Sequence, residues 1–156
     1  LHRVDRRQRQ MCIRDRFTGC SNSETNSTSR GLTDFAHIEE EYLATIDSLN
    51  WPDGITLPDK LEDEDTGASF QVGYGETRAS YLWEYSWMKE WLDTYNTDPE
   101  RAEKALEELE KAFDMPYMGI DRCDDATRNY LRENIDKAKL GDPSGFTESI
   151  RANYAN

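Results

Sequence analysis

Trp83, Trp87 and Trp91 stand four residues apart in "ETRASYLWEYSWMKEWLDTYN", with Ala79 one turn before them. On an α-helix that spacing places all four on one side, and Tyr81, Tyr85, Met88, Leu92 and Tyr95 form a neighbouring stripe. The two stripes cover most of the circumference. A helix that is apolar nearly all round belongs inside a fold, so this segment is expected to be the central element around which the others pack.

The flanking segments supply suitable partners. In "TDFAHIEEEYLATIDSLN", Phe35, Ile38, Tyr42, Ile46 and Leu49 make one apolar stripe, and Thr33 or Asp34 is placed to cap the start. "DPERAEKALEELEKAF" opens with Asp98 as cap and Pro99 at the first helical position, and turns Ala102, Ala105, Leu106, Leu109 and Phe113 inward. Glu100 with Lys104, and Glu107 with Lys111, are spaced as exposed i,i+4 pairs. "MPYMG" interrupts the pattern. "DDATRNYLRENIDKAKL" then presents Tyr130, Leu131, Ile135 and Ala138 and stops at Gly141, and a short last helix carries Phe146, Ile150 and Tyr154. "WPDGITLPDKLEDEDTGASF" has two prolines, two glycines and an acidic run, which predict a long irregular connection with a short extended piece at "SFQVGY". Trp51 and the alternating Ile55 and Leu57 suggest that this connection lies against the helices. The expected fold is all-α: a bundle-like domain of four to five helices over residues 32–156, with one long irregular loop after the first helix.

The N-terminal residues read differently. Residues 6–16, "RRQRQMCIRDR", resemble in one reading frame the translated adapter of transposase-based sequencing libraries, so residues 1–16 are expected to be an adapter-like artefact and not a nucleic-acid-binding arm. Directly after them, "FTGC" resembles the end of a bacterial lipobox, in which an apolar residue, a small residue and Gly or Ala precede the cysteine that becomes lipidated. Phe17 stands where the usual residue is Leu, and the charged and apolar parts of a signal peptide do not precede it. The resemblance implies an N-terminally truncated bacterial lipoprotein with Cys20 as the lipid site, and Ser21 beside it compatible with outer-membrane sorting. "SNSETNSTSRG" has the Ser/Thr/Asn-rich composition of a tether, so residues 17–31 are expected to link anchor and domain without contributing to the fold. That places the protein in the bacterial cell envelope, on the outer face of a membrane, touching the membrane through its lipid only.

Charge narrows the partners. The chain has 19 basic and 32 acidic residues; six Arg and two Asp fall in residues 1–16, leaving 13 basic and 30 acidic, a net of −17. Such a surface disfavours nucleic acid and acidic lipid headgroups. With Cys12 in the adapter-like run and Cys20 as the lipid site, Cys123 is the remaining cysteine, so the domain is expected to stand on packing without a disulfide. The acidic setting "DRCDD" argues against a nucleophilic thiol.

Motifs for chemistry are few. His37 is the one histidine outside residues 1–16, beside the apolar stripe of the first helix, so zinc, copper and a Ser-His-Asp triad are not expected. In "EDEDTG", aligning Gly67 with the glycine of an EF-hand loop puts Glu62 first but Gly73 last, where a bidentate Glu is required. "VGYGE" lacks the lysine of a phosphate loop and reads as a turn. Neither a metal nor a cofactor is expected. Glu84 lies among aromatics, where a carboxyl with a raised pKa can act as a general acid with Glu90, Asp93 or a loop acid as its partner. Two functions are compatible with these residues. The first is a lipid-anchored binding or interaction module for an unknown protein or glycan, with Trp83, Glu84, Trp87 and Trp91 as the possible binding surface if they are exposed. The alternative is a small carboxylate-dependent hydrolase of cell-wall glycan.

Overall fold

Polar groups at the two ends of each segment decide where the helices start and stop. The computed structural model describes residues 31–154. Among them are a two-residue antiparallel pair, β1 (Leu32–Thr33) with β2 (Phe70–Gln71), and five helices: α1 (Phe35–Ser48), α2 (Tyr74–Thr94), α3 (Pro99–Glu110), α4 (Asp125–Lys139) and α5 (Ser144–Asn153). Two short 3-10 turns, Lys111–Asp114 and Pro116–Met118, carry the chain from α3 towards α4. The fold is an all-α bundle, as the spacing of apolar residues predicts. The adapter-like residues, the "FTGC" segment with Cys20 and the tether up to residue 30 lie outside the described residues. Gly31 does not: its carbonyl accepts from the Val72 N–H at 3.1 Å. The packed chain therefore takes in the last residue that composition assigns to the tether.

Local caps follow the sequence. Asp34 accepts from the His37 N–H at 3.0 Å, Asp98 from the Arg101 N–H at 3.2 Å and Asp124 from the Thr127 N–H at 2.8 Å, each satisfying a helix-start donor that has no partner within its own helix. Pro99 sits at the start of α3. α4 ends where Gly141 takes φ +79°; the Gly141 N–H donates to the Ala138 carbonyl and the Asp142 N–H to that of Lys137, a Schellman pair of bonds.

α2 packs on α1, α3 and α5, and α4 closes the far side against α3 and α5. Trp83, Trp87, Met88 and Trp91 join Ala105, Leu109, Tyr117, Leu131, Ile135 and Phe146 in the larger core cluster. Ile38, Tyr42, Ile46, Leu61, Phe70 and Ala79 form a second cluster between α1, the loop and the start of α2, and Trp51 touches both.

α2 begins at Tyr74, two residues before the segment that periodicity marks, because its cap comes from another helix. Gly73, at φ +90°, has no side chain to offer. The Glu41 carboxylate of α1 accepts instead from the Gly73 N–H at 2.8 and 3.0 Å and from the Gly75 N–H at 3.2 Å. A negative charge at this position also meets the positive end of the α2 dipole. The contact requires the backbones to touch: a Cβ on Gly75 would lie 1.8 Å from the Ile38 carbonyl oxygen. "VGYGE" is thus a helix crossing as well as a turn.

The long loop after α1 is pinned at its ends and free in its middle. The Trp51 Nε1–H donates to the Ile46 carbonyl at 2.9 Å, Pro52 is buried, and Leu61 is buried with its N–H on the Glu39 carboxylate at 3.1 Å. Between these points residues 53–60 are exposed, and Ile55 and Leu57 each keep 37% of their surface in solvent. The expectation that these two pack on the helices is corrected: the contacts come from Trp51, Pro52 and Leu61.

Gly75→Ala is expected to lower stability by about 3 kcal/mol or more, the upper end of overpacking costs, because the added methyl meets the α1 backbone at Ile38 and Tyr42. Gly67→Ala, where the nearest atom outside the adjacent residues is 3.4 Å from the added carbon, is the control and should change stability by less than about 1 kcal/mol. Urea unfolding of both variants measures the difference.

Candidate functional site

Both indole N–H groups of Trp83 and Trp87 point at one atom. They donate to the Asn50 carbonyl at 2.9 and 3.1 Å, so the first residues after α1 are drawn over the aromatic side of α2. Trp91 stacks on Tyr95 with centroids 4.6 Å apart and meets Phe146 edge-on at 5.4 Å. Trp83 and Trp87 are each 1% exposed and Trp91 2%. The reading of Trp83, Glu84, Trp87 and Trp91 as an exposed binding surface is therefore corrected. The small Ala102 and Ala105 of α3 let that helix close over the indoles, and indole burial holds it there.

Glu84 is buried beside the indoles and accepts from the Tyr117 hydroxyl at 2.6 Å. Tyr81 packs edge-on against Tyr117 at 5.4 Å, and the Tyr154 hydroxyl donates to the Tyr81 carbonyl at 3.1 Å, tying the end of α5 to the same place. Burial, and then the adjacent Glu84 carboxylate, push the Tyr117 hydroxyl well above the usual phenol range, so Tyr117 is a donor at neutral pH. Glu90 and Asp93, the two helix acids that could pair with Glu84, are engaged elsewhere: Glu90 holds Arg101 through two bonds of 2.7 and 2.9 Å, and Asp93 meets Lys89 at 2.9 Å. His37 faces Glu41 at 3.2 Å on an exposed turn of α1. Cys123 is buried, with Sγ 3.7 Å from the Met118 sulfur. Among the described residues no group of three or more His, Cys, Asp or Glu side chains is placed to hold a metal ion.

A concave surface lies one step further along the bundle. A groove of about 450 Å³, open to solvent, runs between the end of α2, the length of α3 and the end of α4. Trp91, Tyr95, Ala102, Leu106 and Ala138 line it, with Glu103, Glu107 and Glu110 on the α3 side and Lys139 opposite. Lys139 bonds Glu110 and so links α3 to α4 beside the groove. The two exposed pairs expected on α3 are corrected: Lys111 bonds Glu108 at 2.6 Å, and Lys104 lies 5.9 Å from the centre of the Trp87 ring. Among the described residues no cation is within ion-pair distance of Glu103 or Glu107. Sequence reasoning missed the groove, although a Glu at 103, 107 and 110 beside Ala102 and Leu106 is a visible signal that one edge of the apolar stripe is acidic.

No protein-family model, curated protein or solved structure matches this chain.

Trp87→Ala is expected to cost about 3–5 kcal/mol, the usual loss for a buried aromatic, a large part of the roughly 5–15 kcal/mol that stabilises a domain. Thermal unfolding measures it; a parent-like melting curve would contradict the core placement. Tyr117 sets a second expectation. Its folded pKa is raised, so its contribution is complete below the unfolded phenol value of about 10 and is lost as pH rises towards the folded value. Stability should fall in alkali from about pH 10 upwards, and Tyr117→Phe should lose the part of that fall due to this hydroxyl.

Proposed function

We propose that this chain is a binding module, held on the outer face of a bacterial membrane by a lipid on Cys20, whose acidic helical domain meets a protein or glycan partner. The observation that carries the binding role is the disposition of the aromatic side of α2. With Trp83, Glu84, Trp87 and Trp91 buried, the domain offers solvent a strongly acidic surface and the groove along α3. The anchor rests on "FTGC" and the polar segment after it, which lie outside the described residues; among the described residues no helix is long and apolar enough to cross a membrane. The hydrolase alternative requires two carboxyl groups facing each other across a cleft, about 5–9.5 Å apart. Glu84 is enclosed with Tyr117, and Glu90 and Asp93 are turned to Arg101 and Lys89, which favours binding over hydrolysis.

With a signal peptide supplied, labelled fatty acid should enter the protein and Cys20→Ala should abolish the labelling; equal labelling of the variant would remove the anchor. Incubation with purified cell-wall sacculi should release no reducing ends. Release that disappears in Glu84→Gln would establish the hydrolase instead.

A further inference from the structure

The groove along α3 joins two properties that one kind of side chain can meet together. Its lining is mainly apolar, from Trp91, Tyr95, Ala102, Leu106 and Ala138, and Leu140, between the lining residues Lys139 and Gly141, is 88% exposed. Its α3 side carries Glu103 and Glu107, one turn apart, with no cation in the described residues placed against them. Apolar surface with an acidic border complements a side chain that has a hydrocarbon stem and a cationic head, such as lysine or arginine.

The shape separates a small amine from a peptide. Pockets for small ligands enclose most of the ligand surface, whereas this groove is largely open to solvent. A chain laid across it can insert stems while its backbone stays outside. Spacing agrees: Glu103 and Glu107 are separated by about 6 Å along the helix axis. Alternate side chains of an extended strand, which point the same way, recur at about 6.5–7 Å.

Resting on the binding-module reading, we propose that this groove is the docking site for an extended segment of a protein partner bearing lysine or arginine at alternate positions, with the stems on Leu106, Tyr95 and Ala138 and the cationic heads on Glu103 and Glu107.

The test uses the full chain at about 0.15 M salt, where diffuse attraction beyond a Debye length of about 8 Å is screened. The probe is a capped Lys-Ser-Lys-Ser-Lys peptide, followed by amide NMR shifts and calorimetry. The expected result is a set of shifts centred on Glu103, Leu106, Glu107 and Gly141, and a loss of affinity of about tenfold in E103Q/E107Q. E40Q/E148Q removes two exposed charges that do not line the groove and should leave affinity within about twofold. The inference is overturned by equal weakening in the two double variants, by shifts spread over the acidic surface, by absence of binding, or by spermidine binding as tightly as the peptide. These failures are distinct from that of the underlying reading, which falls if the parent protein releases reducing ends from sacculi.

Discussion

An indole that is buried needs an acceptor for its N–H as well as a cover for its rings, and α2 buries three indoles on one side. For Trp83 and Trp87 the acceptor comes from outside α2. Asn50 supplies one carbonyl to both Trp83 and Trp87, which fixes the path of the chain leaving α1. Trp51 follows in register and reaches both core clusters. On the other flank Ala102 and Ala105 bring α3 close, and Phe146 sets its ring against Trp91. The placement of α1, the loop, α3 and α5 thus follows from the needs of a single helix.

That helix also contains polar residues in fully enclosed positions. Ser80, Ser86 and Thr94 each donate to the carbonyl four residues earlier, at 2.7–2.8 Å, so they enter the core without requiring partners from neighbouring elements. Glu84 is the opposite case, since its carboxylate reaches across to Tyr117 in the second 3-10 turn. Hydroxyls with local acceptors allow α2 to bury most of its circumference, with Lys89 and Asp93 left exposed; the carboxylate selects where the 3-10 segment docks.

The features readable from the sequence are those whose partners are near in the chain. Asp34, Asp98 and Asp124 cap helices three residues away, and Gly141 ends α4 through bonds to Lys137 and Ala138. The stripes on α1, α3 and α4 follow helical period for the same reason. Glu41 capping α2 across 32 positions, and Gly75 against Ile38, were not readable, because no local pattern marks them. Period alone told which side of α2 the indoles occupy but not what covers them, so the aromatic side was open to being read as a surface. In the loop, alternation of Ile55 and Leu57 gave a side and not a contact. The groove combines residues from Trp91 to Gly141 on three helices, and one of its Glu residues, Glu107, has the spacing of a partner for Lys111, which the structure turns to Glu108.

The carboxylate that α1 lends to α2 couples the start of α2 to the docking of α1. When α1 lifts away, the Gly73 and Gly75 amides lose their acceptor together, and the positive end of α2 loses its counter-charge. In solvent exchange these two amides therefore report the release of a helix they do not belong to. Undocking of α1 therefore leaves the first turn of α2 without its cap and free to fray.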